Sequence, residues 1–322
     1  MAPLISLFII DPPERLDPPT DTTLAIMRES LRRGGEVFYC TLPDLVLEGD
    51  RLYAQAYPVR FPPGAELFTA GDAQKFPAEA ADVVYMRKDP PVDRDYLQAA
   101  YLLDQLPPRV LQVNPSRTLR LHCEKLIPLA FPDLAPETLV GRSVMEIAAF
   151  LRRHQRIVVK PLDDCSGRGI VAVNASDPRA EELIDRAAEG GGRCVVAQRF
   201  LPEIREGDKR VLMLGEEILG WVNRRPAPGE FRSNVNAGGR CLLCELTARD
   251  RAICERVGPW LVREGIHFSG LDIVGPYLLE VNITSPSCLR ELNQLTGQSL
   301  EKRVVDYVEE NCRRARNFLP CR

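Results

Sequence analysis

The chain has 322 residues, of which 45% are hydrophobic and 27% charged, and a formal net charge of −3. This is the profile of an ordinary globular protein large enough for more than one domain. So slight a negative balance leaves no basic footprint for nucleic acid or an anionic membrane, and no run approaches the roughly 20 apolar residues of a membrane span. Met1–Asp11 lacks a basic leader and reads as a first strand rather than a signal peptide, which predicts a cytoplasmic protein. The ten cysteines are scattered, and at this chain length they do not read as a disulfide scaffold. Cys241-Leu242-Leu243-Cys244 lacks the second pair, or the paired histidines, that a structural zinc wants. It leaves open a reactive or surface thiol pair.

The first third alternates strand and helix. Leu4–Ile10 is a predicted strand, and Asp21-Thr22-Thr23 caps a helix with Leu24, Met27 and Leu31 at helical spacing. Strands follow at Glu36–Cys40, Arg51–Val59 and Val83–Met86, the last emptying into Arg87-Lys88-Asp89-Pro90-Pro91. After a helix from about Asp93 to Leu106, strand Val110–Val113 ends at Asn114-Pro115. Strands separated by helices predict a parallel α/β sheet, where ligands collect at the carboxyl ends. Arg87, Lys88 and Asn114 are therefore candidate substrate contacts.

From Ser116 a helix is predicted to carry Lys125 towards Pro128, followed by strand Glu137–Val140, helix Val144–His154 and strand Ile157–Lys160. Lys160 then opens a run through Asp163, Asp164, Cys165, Ser166, Gly167 and Gly169 to a returning strand, Ile170–Val173. A loop of small and glycine residues behind a lysine fits a phosphate-covering flap, since its backbone N–H groups approach phosphate oxygens closely. A helix over about Pro178–Glu189 and strand Cys194–Gln198 lead through Arg199-Phe200-Leu201 to Asp208-Lys209-Arg210. That acid suits a ribose hydroxyl, with Arg210 facing phosphates or a carboxylate. Strand Glu217–Val222 ends in Asn223-Arg224-Arg225, and Pro226–Arg240 has no periodicity. So long a loop inside a compact domain, with Arg, Asn and Gly in it, reads as a lid.

Thr247 caps a helix to about Glu264, and two helices, about Leu289–Leu295 and Leu300–Arg316, close the chain. Between them Leu271–Asn282 is two apolar runs joined by Gly275-Pro276, a predicted β-hairpin. With the turn centred on Pro276, Asp272 faces Glu280 across the ladder and Asn282 shares the face of Glu280. Like charges so placed need something positive between them. Asp, Glu and Asn without nearby His or Cys are hard oxygen ligands that suit Mg²⁺.

In this order the pieces resemble the ATP-grasp superfamily, and within it the prokaryotic glutathione synthetase family. The resemblance rests on Tyr85-Met86-Arg87-Lys88-Asp89-Pro90-Pro91, Glu124-Lys125-Leu126, Val159-Lys160-Pro161, Gly207-Asp208-Lys209-Arg210, Gly270-Leu271-Asp272 and Glu280-Val281-Asn282-Ile283-Thr284-Ser285-Pro286. It implies an α/β chain with an ATP-grasp fold behind an N-terminal parallel α/β domain, divided as 1–122, 123–200 and 201–322. It also implies ATP-dependent joining of γ-glutamylcysteine to glycine through an acylphosphate, with two Mg²⁺ (or Mn²⁺) on Asp272, Glu280 and Asn282, in a homo-oligomer such as a tetramer. By the same resemblance Lys125, Lys160, Gly167, Gln198, Phe200, Leu201 and Asp208 bind ATP. Arg210, Arg225 and Arg240 neutralise charge in catalysis, and Arg87, Asn114, Ser285, Pro286 and Arg290 face the peptide substrate. Departures occur at Asp163-Asp164-Cys165-Ser166-Gly167, where the family typically has Asp-Gly-Met-Gly-Gly, and at Cys241 and Cys244, where it has no thiols. They motivate two alternatives, a ligase for another amine or thiol peptide and a non-catalytic ATP-binding homologue.

Overall fold

The strands sort into three sheets in the computed structural model, which describes residues 3–162, 169–234 and 238–317. In the first sheet Glu36–Cys40, Ile5–Ile9, Val83–Met86 and Leu111–Val113 lie side by side and parallel. The outer strand Arg51–Arg60 runs antiparallel to Glu36–Cys40, and Leu45–Glu48, Thr69–Ala70 and Gln74–Pro77 pair with it. The predicted parallel sheet is thus four adjacent strands that run out to the edge at Leu111–Val113. The edge reverses because only a short turn and strand, not a crossover helix, precedes Arg51, and so short a link joins only antiparallel neighbours.

The second sheet is antiparallel, in the order Val171–Asn174, Arg156–Pro161, Val195–Arg199, Thr138–Gly141, with helices Val144–His154 and Ala180–Ala187 packed on it. Its core is its own, built from residues such as Ile147, Leu151, Ile157, Val159, Ile184 and Val195. The third sheet is also antiparallel: Arg240–Leu242, Glu217–Arg225, Asp208–Leu214, Phe268–Val274, Tyr277–Asn282. It has no separate core. Leu7 and Val84 of the first sheet share one apolar cluster with Leu271 and Val281, and Phe8 and Tyr85 share another with Leu212 and Phe268. No helix among the described residues is long and apolar enough to cross a membrane.

Two expectations change here. The helix from Ser116 stops at Leu121, so Lys125 lies in the turn beyond it. Tertiary bonds override helical continuation there: Glu124 Oε1 accepts the Ile283 and Thr284 N–H groups at 2.6 and 2.8 Å, tying the turn to the chain beyond Asn282. Asn114 does not reach a ligand cleft. It is buried, its Nδ2 donates to the Phe268 and Ile283 carbonyls at 2.7 and 2.6 Å, and its Oδ1 accepts the His267 and Phe268 N–H groups at 2.8 and 2.9 Å. One amide thereby clasps the first sheet to the third. Asn114→Ala leaves several buried backbone groups unpaired, each costing about 1–3 kcal/mol. The variant is expected to lose at least about 3 kcal/mol, read as a lower urea midpoint at unchanged slope.

Candidate active site

A cleft of about 760 Å³ lies where the three sheets meet. Its first wall comes from the carboxyl end of strand Val83–Met86. Arg87 is buried there, donating from Nε to Thr23 Oγ1 at 3.1 Å and from Nη2 to the Pro286 carbonyl at 3.1 Å. Beside it Lys88 pairs with Asp11 at 3.1 Å, and Ser285 Oγ donates to the Asp89 carboxylate.

The second wall carries the lysines. Lys160, on strand Arg156–Pro161, donates to Gln198 Oε1 at 2.9 Å on the neighbouring strand. Burial lowers its ammonium below the ordinary lysine value. Lys125 Nζ is 3.5 Å from Glu280 Oε1. Burial opposes the charge of Lys125, but Glu280 and Glu124 outweigh it and raise the pKa. Phe200 and Leu201 line the same side, and the Arg156 guanidinium stacks 3.6 Å from the Phe200 ring centroid.

The floor is the third sheet, and two β-bulges set which side chains face the cleft. In the hairpin of Asp208–Leu214 with Glu217–Arg225, Met213 pairs with Ile218 but Leu212 with Gly220, so Leu219 is an extra residue. A one-residue shift turns every later side chain to the other face. Arg224 therefore sits opposite Asp208 and points in, whereas Arg225 is exposed and pairs with the equally exposed Arg240. Neither Arg225 nor Arg240 lines the cleft. A second bulge, at Leu279, brings Asp272 opposite Glu280 although the turn is the two residues Gly275-Pro276. The expected register holds, through a bulge rather than a turn centred on Pro276.

The charge demanded by the hairpin acids is supplied first by the protein. Asp272 accepts Arg210 Nε at 2.6 Å, Arg210 Nη2 at 3.1 Å, Arg224 Nη2 at 2.9 Å and Asn282 Nδ2 at 3.2 Å. Arg224 also forks onto Asp208 at 2.6 and 2.7 Å, and Ser233 Oγ adds a bond to Asp208 at 2.5 Å. Burial resists the charge on Asp272, yet the two guanidinium groups hold its carboxyl well below the usual carboxylate range. Glu280 is differently placed: among the described residues only Lys125 lies within ion-pair distance of it. Asn282 spends its Nδ2 on the Gly270 carbonyl and Asp272, which leaves Oδ1 as its acceptor. The Glu280 carboxylate and Asn282 Oδ1, beside Asp272, form an all-oxygen donor set that fits a hard divalent cation.

The profile of the prokaryotic glutathione synthetase ATP-grasp domain matches residues 124–297, and that of the N-terminal domain of the same enzymes matches residues 4–120. The chain belongs to the prokaryotic glutathione synthetase family. It is 40% identical over 316 residues to the glutathione synthetase of Gloeobacter violaceus, covering 96% of this chain and 98% of that one. It is 39% identical over 301 residues to that of Parasynechococcus marenigrum, covering 93% and 97%. Among solved structures, a D-cycloserine synthetase superposes with a TM-score of 0.67 at 13% identity, over 96% of this chain and 99% of its own. That likeness shows the ATP-grasp fold.

Within this family member the cleft gathers Lys125, Lys160, Gln198, Phe200, Leu201, Asp208, Arg210, Asp272, Glu280, Asn282, Arg87 and Ser285. Pro286 is set back and contributes its carbonyl to Arg87. Arg290 turns away, donating to the Pro18 carbonyl and to Glu66. Gly167 and the rest of 163–168 lie outside the described residues, as do 235–237 of the lid stretch. Sequence reasoning missed Arg224, because a bulge leaves no compositional mark, and missed Glu124, whose role depends on a partner 159 residues away.

Proposed function

We propose that the cleft joins γ-glutamylcysteine to glycine at the expense of ATP, giving glutathione, ADP and phosphate. Membership of the family makes the chain an ATP-dependent, peptide-forming ligase that works with a divalent metal. The observation that carries the reading to this site is the convergence of the buried Lys125, the half-buried Lys160, the oxygen set of the hairpin and the buried Arg87 on one cleft.

In this reading Phe200, Leu201 and Gln198 bracket the adenine, Asp208 takes the ribose, and Lys125 and Lys160 hold the phosphates. Glu280, Asn282 and Asp272 hold two Mg²⁺, which supply neutralisation of phosphate charge. Arg87 and Ser285 seat the peptide so that its cysteinyl carboxylate approaches the γ-phosphorus. Carboxylate oxygen bonds to phosphorus as the bridging bond to ADP breaks, and the glycine amine then attacks the acylphosphate carbonyl and expels phosphate. Arg210 stabilises developing negative charge from a fixed position, locked by Asp272, so little reorganisation is needed. No side-chain nucleophile is required; positioning and charge carry the rate.

The chain acts in the cytoplasm as a homo-oligomer, a tetramer in this reading, which light scattering on the purified protein checks. With ATP, Mg²⁺, γ-glutamylcysteine and glycine the protein is expected to release ADP and phosphate with a product of the tripeptide's mass. ADP release without that mass, or the mass only when another amine replaces glycine, overturns the proposed acceptor.

A further inference from the structure

One group of side chains at the cleft takes no part in the reaction as proposed above. Cys241 is the middle residue of strand Arg240–Leu242 on the edge of the third sheet, and Cys288 stands immediately before helix Leu289–Thr296. Their sulfurs and a carboxylate oxygen of Glu291 all lie within 4.8 Å of one another. Cys244, the other half of the C-x-x-C, is not part of this group, because Cys241 has turned towards Cys288. Glu291 Oε2 is buried with no hydrogen-bond partner. Cys288 and Glu291 both line the cleft, so small ions reach the group from that side.

We propose that Cys241, Cys288 and Glu291 form a binding site for a soft or borderline divalent cation of the Zn²⁺ or Cd²⁺ class, distinct from the oxygen site on the hairpin. Two thiolates and one carboxylate are the donors such ions select, whereas Mg²⁺ avoids sulfur. Metal–sulfur bonds of about 2.3 Å place neighbouring ligands of a tetrahedron about 3.8 Å apart, so side-chain shifts of about 1 Å complete the site. A water from the cleft fills the fourth position. Cys241 hydrogen-bonds to Cys288: that bond, with the charge of Arg210 and Arg224, draws the Cys288 thiol below its usual range, while the same bond and burial hold the Cys241 thiol well above it, so the pair keeps a proton that an entering cation must displace. Burial and the neighbouring Cys288 raise Glu291 to about 7. An ion so held links the strand after the lid to the helix behind Arg210, whose Nη1 already reaches the Ser287 carbonyl at 3.5 Å.

The test is a Co²⁺ titration of the full-length protein, reduced with a phosphine, in excess Mg²⁺. The expected result is a thiolate-to-Co²⁺ charge-transfer absorption that saturates at one ion per chain. It should be lost in Cys241→Ser, weakened at least tenfold in affinity in Glu291→Gln, and kept in Cys244→Ser. Absence of the band in the parent, or its survival at full strength in Cys241→Ser, overturns the site. Should Cys241→Ser fail to fold, alkylation of the parent decides: Zn²⁺ should slow labelling of Cys241 but not of Cys123 or Cys194. Equal labelling of Cys241 with and without Zn²⁺ overturns the proposal.

Discussion

Replacing Glu280 by Gln should leave a folded protein that releases ADP about 10²–10³ times more slowly at saturating ATP, γ-glutamylcysteine and glycine. The magnitude is that of removing one fixed charge-stabilising group from a closed site, about 2.7–4 kcal/mol of barrier. Glu280 is the right residue because its carboxylate is not already committed. Asp272 is gripped by two arginines, whereas Glu280 has only the longer contact to Lys125 among the described residues. The fold should survive because the side chain is 23% exposed at the cleft and, among the described residues, no backbone group bonds to it. The paired measurements are ADP release and a urea unfolding curve. Turnover within threefold of the parent would remove the hairpin from the metal end of the reaction.

The second large effect separates two adjacent arginines. Arg224→Met should cost about 3–5 kcal/mol of stability, since it strips a buried guanidinium from Asp208 and Asp272 and leaves those carboxylates underpaired. Arg225→Met, one residue along and exposed, should stay within about 0.5 kcal/mol of the parent. The comparison is read by denaturant unfolding of both variants in the same buffer. Because the network is buried, the Arg224 penalty should persist at high salt, where surface pairs fade. Equal effects at the two positions would contradict the bulge at Leu219.

Much of the architecture was legible in the sequence because it is carried by local signals. Helix Val144–His154 coincides with its predicted bounds, with Ser143 accepting the Glu146 N–H, and Thr247 caps its helix as expected. Glu280 and Asn282 share a face as strand alternation requires, and Asp272 stands opposite Glu280 as expected, although through the bulge at Leu279. What was not legible has a common cause. Counting along a strand predicts faces only while the ladder is regular, and each extra residue reverses the count. The family resemblance pointed to Arg225, while the extra residue at Leu219 gives the place in the cleft to Arg224. Asn114 looked like a ligand residue because it ends a parallel strand. Its environment is instead set by Phe268 and Ile283, more than 150 residues away in the chain. Cys241 was read with Cys244 because they are close in sequence, while the neighbour that matters is Cys288.

The distribution of the apolar cores has a mechanical corollary. The first and third sheets share their interior and are pinned by the Asn114 amide, whereas the lobe of residues 138–199 is packed around an interior of its own. The span from Arg87 to Asp272 therefore behaves as the rigid jaw of a vice, and the lobe bearing Lys160 and Gln198 as the travelling one. A swing of that lobe would leave Arg87 and the hairpin oxygens at a fixed separation.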